Sequence, residues 1–109
     1  MRVELPDGQW VEFREELTHG QFKRLSRALL RATEHPAEAG PDIDTEFCAV
    51  YVSAWFLRAP DGSNVELPAD IDARPAIIDN LPAGIVTIIA TAAANAWRMR
   101  PDPNAFAAS

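Results

Sequence analysis

The chain has 109 residues, 48% of them hydrophobic and 24% charged, with a formal net charge of −6. That length bounds it to one domain, able to bury roughly two-thirds of its unfolded surface. The acidic balance disfavours nonspecific attachment to nucleic acid or acidic membranes, and a lone cysteine, Cys48, excludes an internal disulfide or a cysteine metal cluster.

Residues 2–5 and 10–14 predict a β-hairpin. Val3 and Leu5 alternate with Arg2 and Glu4, and Val11 and Phe13 with Glu12 and Arg14. Pro6-Asp7-Gly8 supplies the turn, with proline presetting φ and glycine taking the positive φ that closes it. An isolated hairpin is marginal in water, so it must pack on something, and the helices are the candidate.

The first helix opens on a Thr18-x-x-Gln21 capping box, with Leu17 and Phe22 at staple positions. Phe22, Leu25 and Leu29 fall on one face; Lys23, Arg24, Arg27 and Arg31 gather on the opposite one. The helix is expected to end near Thr33, and residues 34–41 read as an exposed Pro- and Gly-containing loop. A second helix, capped by Asp42 or Asp44, is expected to run through Leu57. Its thirteen residues from Thr45 are long for a strand, although their β-branched and aromatic content permits one. Residues 59–74 read as irregular, with residues 64–67 offering a short third strand. Pro75 opens a short helix through Asn80. A final helix follows Pro82, over residues 83–99, with Arg98 and Arg100 at the negative end of its dipole. Residues 101–109 are expected to be a flexible C-terminal tail beyond a single globular domain over residues 1–100.

The expected fold class is therefore α+β and mainly helical, an N-terminal hairpin packed on three to four helices. The expected core is Leu5, Phe13, Leu17, Phe22, Leu25, Leu29, Phe47, Val50, Tyr51, Ala54, Trp55, Ile78, Leu81, Ile85, Ile88, Ile89, Ala92 and Trp97. The longest apolar stretch, residues 85–97, is broken by Thr87, Thr91 and Asn95 and falls short of the ~18 residues of a membrane span. With no apolar signal core at the N-terminus, the expectation is a soluble intracellular protein.

No constellation points to catalysis, metal or cofactor. His19 and His35 lie sixteen residues apart, with no cysteine pair to join them. Asp42-Ile-Asp-Thr-Glu46 resembles the start of a calcium loop but lacks its glycine and closing glutamate, so these acids read as helix caps. Gly-x-Ser-x-Gly is absent, the glycines are scattered, and Cys48 reads as a small hydrophobe within an apolar helix. The stripe of Lys23, Arg24, Arg27 and Arg31 holds four of the ten basic residues and could track phosphates. Its ordinary reading in an acidic chain is a solvated face. Trp10, Trp55, Phe56 and Trp97 are the candidate partner-binding residues, because aromatics concentrate in interface hot spots. Against that stands a plain core role, above all for Trp55 and Trp97.

The order of elements carries a resemblance. A Val3-Glu-Leu-Pro-Asp-Gly8 hairpin is followed by Glu16-Leu-Thr18 opening a basic helix and by a variable loop. A helix ending in Ser53-Ala-Trp55, a proline-containing loop and an Asp79-Asn-Leu-Pro-Ala83 helix start complete the layout. Over residues 1–99 this resembles the small tail assembly chaperones of long-tailed bacteriophages and prophages, particularly those of actinobacterial hosts. The resemblance implies binding to the long helical tape measure protein in the host cell cytoplasm, keeping it soluble before the tail tube forms, and absence from the finished virion. It also implies a longer product made by ribosomal frameshifting, and self-association as a further partnership. A slippery heptamer, C-CCA-AAC, fits Asp102-Pro103-Asn104, five residues before the short product ends. The alternatives are a small nucleic-acid-associated, antitoxin-like regulator and a structural tail or connector subunit.

Overall fold

The computed structural model describes residues 1–100. Val3 and Val11, the inward members of the two alternating runs, pair directly across strands β1 (Arg2–Glu4) and β2 (Trp10–Phe13). In the turn between them both Asp7 (φ 62°) and Gly8 (φ 75°) take the left-handed conformation. The Gln9 side chain locks that turn, donating to the Pro6 carbonyl (3.0 Å) and accepting from the Arg58 amide (3.0 Å).

Helix α1 (His19–Glu34) begins as its sequence dictates. Thr18 accepts from the Gln21 amide, and the Gln21 side chain accepts from the Thr18 amide, satisfying two otherwise orphaned N–H groups. Residues 34–41 depart from the expected open loop. They hold a one-turn helix α2 (Pro36–Ala39) and a 3-10 turn (Gly40–Asp42), and Ala39 is buried against the body. Proline at the first helical position and an alanine small enough to pack closely explain the order there.

The largest departure lies in the second apolar segment. Helix α3 (Ile43–Tyr51) stops after nine residues, and the chain continues without a loop into strand β3 (Val52–Arg58). Asp42 occupies the N-cap position but its side chain caps nothing. β3 pairs antiparallel with β2 in the register Trp10↔Phe56, Val11↔Trp55, Glu12↔Ala54 and Phe13↔Val52, with an irregularity at Glu12/Phe13. Ser53 is the extra residue there, its hydroxyl donating to the Glu12 carbonyl. A short strand β4 (Asn64–Val65) completes a four-stranded sheet in the order β1-β2-β3-β4. The expected third strand is thus the fourth, and the third occupies residues whose pattern predicts the end of a helix.

Two arginines hold the helix-to-strand junction. Arg74 is only 4% exposed. Its Nη1 donates to the Ala49 and Val52 carbonyls (2.9 and 2.7 Å), and its Nε donates to the Pro68 carbonyl (2.7 Å). Arg14 donates from Nε to the Val50 carbonyl (2.9 Å) and from its backbone N–H to the Tyr51 carbonyl. The last carbonyls of α3 therefore receive charged donors, which also suit the negative end of the helix dipole. Burial, then the neighbouring Arg14 charge, pushes the Arg74 guanidinium below its usual pKa.

The chain ends its described part with α4 (Arg74–Ile78) and α5 (Ala83–Met99). α5 lies against α3, with Ile89, Ala90 and Ala93 facing inward and buried. Ile88, expected in the core, is 41% exposed. It sits about 100° around the helix from Ile89 on the side away from Ala90 and Ala93, outside the arc that those three residues bury. Leu5, Phe13, Leu25, Phe47, Val50, Tyr51, Ile78 and Ile89 are buried as expected. Leu17, Phe22, Leu29, Ala54, Trp55, Leu81, Ile85, Ala92 and Trp97 are half-buried. Val11, Ala39, Cys48, Ala49, Val52, Leu57, Ala90 and Ala93 join the core unannounced. The fold class is α+β, mainly helical, and two of the five α-helices among the described residues are single-turn pieces. No helix of the described residues is long and apolar enough to cross a membrane. The expected tail and the slippery heptamer lie outside the described residues.

Candidate interaction surfaces

Directly paired residues share a face of a sheet, so the register sorts the candidate aromatics. Val11, Trp55, Leu57 and Val65 look toward the helices and belong to the core or pack against it. Trp55 is anchored there by its indole N–H, which donates to the Val65 carbonyl at 2.9 Å. Trp10 and Phe56 face each other on the opposite side, away from the core. The Arg2 guanidinium lies 4.1 Å from the Trp10 ring centre, and that of Arg58 lies 5.0 Å from the Phe56 ring centre. The result is two aromatics flanked by two cations, half-buried and outside the core that the described residues form.

Trp97, the fourth aromatic candidate, sits on α5 in another group. It stacks on Phe22 (5.3 Å between ring centres, 23° between planes) and meets Phe47 edge-on at 6.4 Å. Phe47, Tyr51 and Phe13 continue the chain of rings toward the sheet. Arg100 caps the Trp97 ring at 3.8 Å. The structure thus brings Trp10 and Phe56 together, puts Trp55 behind them, and uses Trp97 to join α1, α3 and α5.

The basic stripe of α1 lines a cleft of about 770 Å³. Arg24 is committed within the fold: it pairs with Glu46 of α3 at 2.9 Å and with Asp72 of the 3-10 turn preceding α4. Lys23, Arg27 and Arg31 are exposed and form no ion pair among the described residues. Asp42 and Asp79 line the cleft as well, Asp79 accepting from the Thr45 hydroxyl (3.2 Å), and its apolar lining includes Ala28, Ala39, Ile43 and Pro75. Lys23, Arg27 and Arg31 are exposed, as a solvated face would be; the cleft beside them is not legible in the sequence, because Asp42 and Asp79 lie eleven or more positions from the stripe.

The candidate chemical groups are occupied with structure. Cys48 is buried and its thiol donates weakly toward the Val86 carbonyl at 3.8 Å. Burial, with a smaller push from the Asp44 charge, drives its pKa up to about 12, which keeps it a neutral thiol at physiological pH. Glu46, of the acidic Asp42–Glu46 string, is held by Arg24. Among the described residues no group of three or more His, Cys, Asp and Glu is placed to hold a metal ion. Comparison with protein-family models, with curated proteins and with solved structures returned no match.

Proposed function

We propose that this protein is a bacteriophage tail assembly chaperone that binds the tape measure protein in the host cytoplasm, keeps it soluble during tail tube assembly, and leaves before the virion is complete. The reading rests on the resemblance in element order, and the observation that supports it is the Trp10–Phe56 pair on the face of the sheet turned away from the core. Such a pair offers a flat apolar platform, and aromatic anchors of this kind supply most of the energy where a partner covers them. An amphipathic helix of the tape measure protein would lay its apolar side there. Arg2 and Arg58, stacked on the two rings, can swing outward to meet acidic residues flanking that side.

Co-expression with the tape measure protein encoded beside it should raise that protein's soluble fraction, and the two should co-purify. The double variant Trp10→Ala/Phe56→Ala should lose both effects while remaining folded. Unchanged solubility and no co-purification with the wild-type chain would overturn the proposal. Mass spectrometry of purified virions should find the chain absent; stoichiometric presence would make it a structural tail subunit instead.

A further inference from the structure

We propose that the cleft between α1 and α3 is a second docking site, built for a helix of a partner protein whose two flanks carry opposite charge. The site does not rest on the tail-chaperone reading and uses none of the residues of the aromatic face. Its basic wall is Lys23, Arg27 and Arg31, spaced four residues apart on one side of α1. Four-residue spacing sets neighbouring charges about 6 Å apart, so the row spans roughly 12 Å. Carboxylates at four-residue spacing on a partner helix repeat the same step, and a helix lying along α1 pairs them one to one.

The opposite wall argues for a helix rather than a nucleic acid. Asp42 and Asp79 line the same cleft, and a continuous phosphate backbone would meet two repulsions there against three attractions to α1. A helix with glutamates on one flank and lysines on the other meets complementary charge on both sides. Shape and surface agree. The cleft is an open groove along α1 whose floor is the start of α3, so a helix can lie over it. Ala28, Ala39, Ile43 and Pro75 present only small or short apolar groups, which allow close approach of a helix axis. Arg24 holds the walls apart in a defined geometry by reaching both Glu46 and Asp72. In a chain of net charge −6, three cations in one row that form no ion pair among the described residues are a local reversal of sign that stability does not require.

The probe is a fluorescein-labelled, alanine-based helical peptide with three glutamates at four-residue spacing on one flank and three lysines on the other, titrated by anisotropy at low salt. The full chain should bind it, and a scrambled peptide of the same composition should bind about tenfold more weakly. Arg27→Glu/Arg31→Glu should weaken binding by about tenfold or more, and replacing the glutamates of the peptide by lysines should restore it. Both arginines are exposed and form no ion pair among the described residues, so circular dichroism should show the variant folded. Trp10→Ala/Phe56→Ala should bind the peptide like wild type, which separates this site from the tape measure surface. No binding by the wild-type chain, equal binding of the scrambled peptide, or tighter binding of a single-stranded oligonucleotide of equal negative charge would each overturn the proposal.

Discussion

At the scale of single residues, the fold depends most on an arginine that no local pattern singles out. Arg74 is buried without a carboxylate, and its charge is met by three backbone carbonyls from three places in the chain. A buried charge kept this way is costly to disturb, because each carbonyl that loses its donor costs about 1–3 kcal/mol. Arg74→Met should therefore destabilise the protein by roughly 3 kcal/mol, read as a lower midpoint in urea at unchanged slope. Arg74→Lys should recover less than half of that, since an ammonium cannot span the acceptors a planar fork reaches. A loss under about 1 kcal/mol for the methionine variant would mean that water replaces the guanidinium. Cys48 gives a pH dependence. Its folded pKa is raised from 9.0 to about 12 by burial, so its contribution is fully present below pH 9 and lost as pH rises toward 12. Tyr51, also raised by burial, adds to the same alkaline decline. Stability measured across pH 9–12 should fall less steeply in Cys48→Ala, by up to ~1.4 kcal/mol per pH unit. Slopes identical to wild type would show that the thiol is ionised as easily in the fold as outside it.

At the scale of elements, the sequence is legible wherever structure is decided locally. The hairpin over residues 2–14, the Thr18 cap and the 83–99 helix are each specified by residues within a few positions of one another, and each stands where its pattern puts it. Thr18→Ala should cost about 1 kcal/mol, seen as a lower melting temperature, because the Gln21 amide is then left to water. Gln21→Ala should cost less, since the Thr18 amide it caps is exposed. No change in either variant would mean that α1 is held by its packing alone. The segment 43–58 is illegible for a physical reason. Phe47, Cys48, Val50, Tyr51, Val52, Trp55 and Leu57 satisfy a buried helix and a buried strand equally well. The choice is made by distant partners: Arg14 and Arg74 terminate the helix, and the β2 backbone pairs with the residues beyond it, from Val52 to Phe56. The same holds for the candidate surfaces. The aromatic types are visible in the sequence, but which two face outward depends on a strand register that helical periodicity cannot supply. The basic stripe is visible too; the acidic wall that makes it a cleft is not.

At the scale of the whole molecule, the sheet is the divider. One face builds the core with the helices, and the other carries Trp10 and Phe56 between two arginines. Trp10 and Trp55 sit one register step apart on β2 and β3 but on opposite faces, so they test this division directly. Trp55→Ala removes a ring packed against the core and an indole donor to Val65, and should cost about 3 kcal/mol or more. Trp10→Ala removes a half-exposed ring whose partners are Phe56 and Arg2, and should cost about 1 kcal/mol or less. Urea denaturation of the two variants reads the difference. Partner solubilisation should sort them the other way: Trp10→Ala should fail to keep the tape measure protein soluble under conditions in which it is itself fully folded. Trp55→Ala should retain that activity at temperatures below its own melting. Equal stability costs would make the outer face part of the folding core. Equal loss of solubilisation in two folded variants would spread the partner contact beyond that face. The inverted pattern is expected because both rings are half-buried, but Trp55 packs against the core and spends its indole donor on Val65, whereas Trp10 stands outside that core on the opposite face.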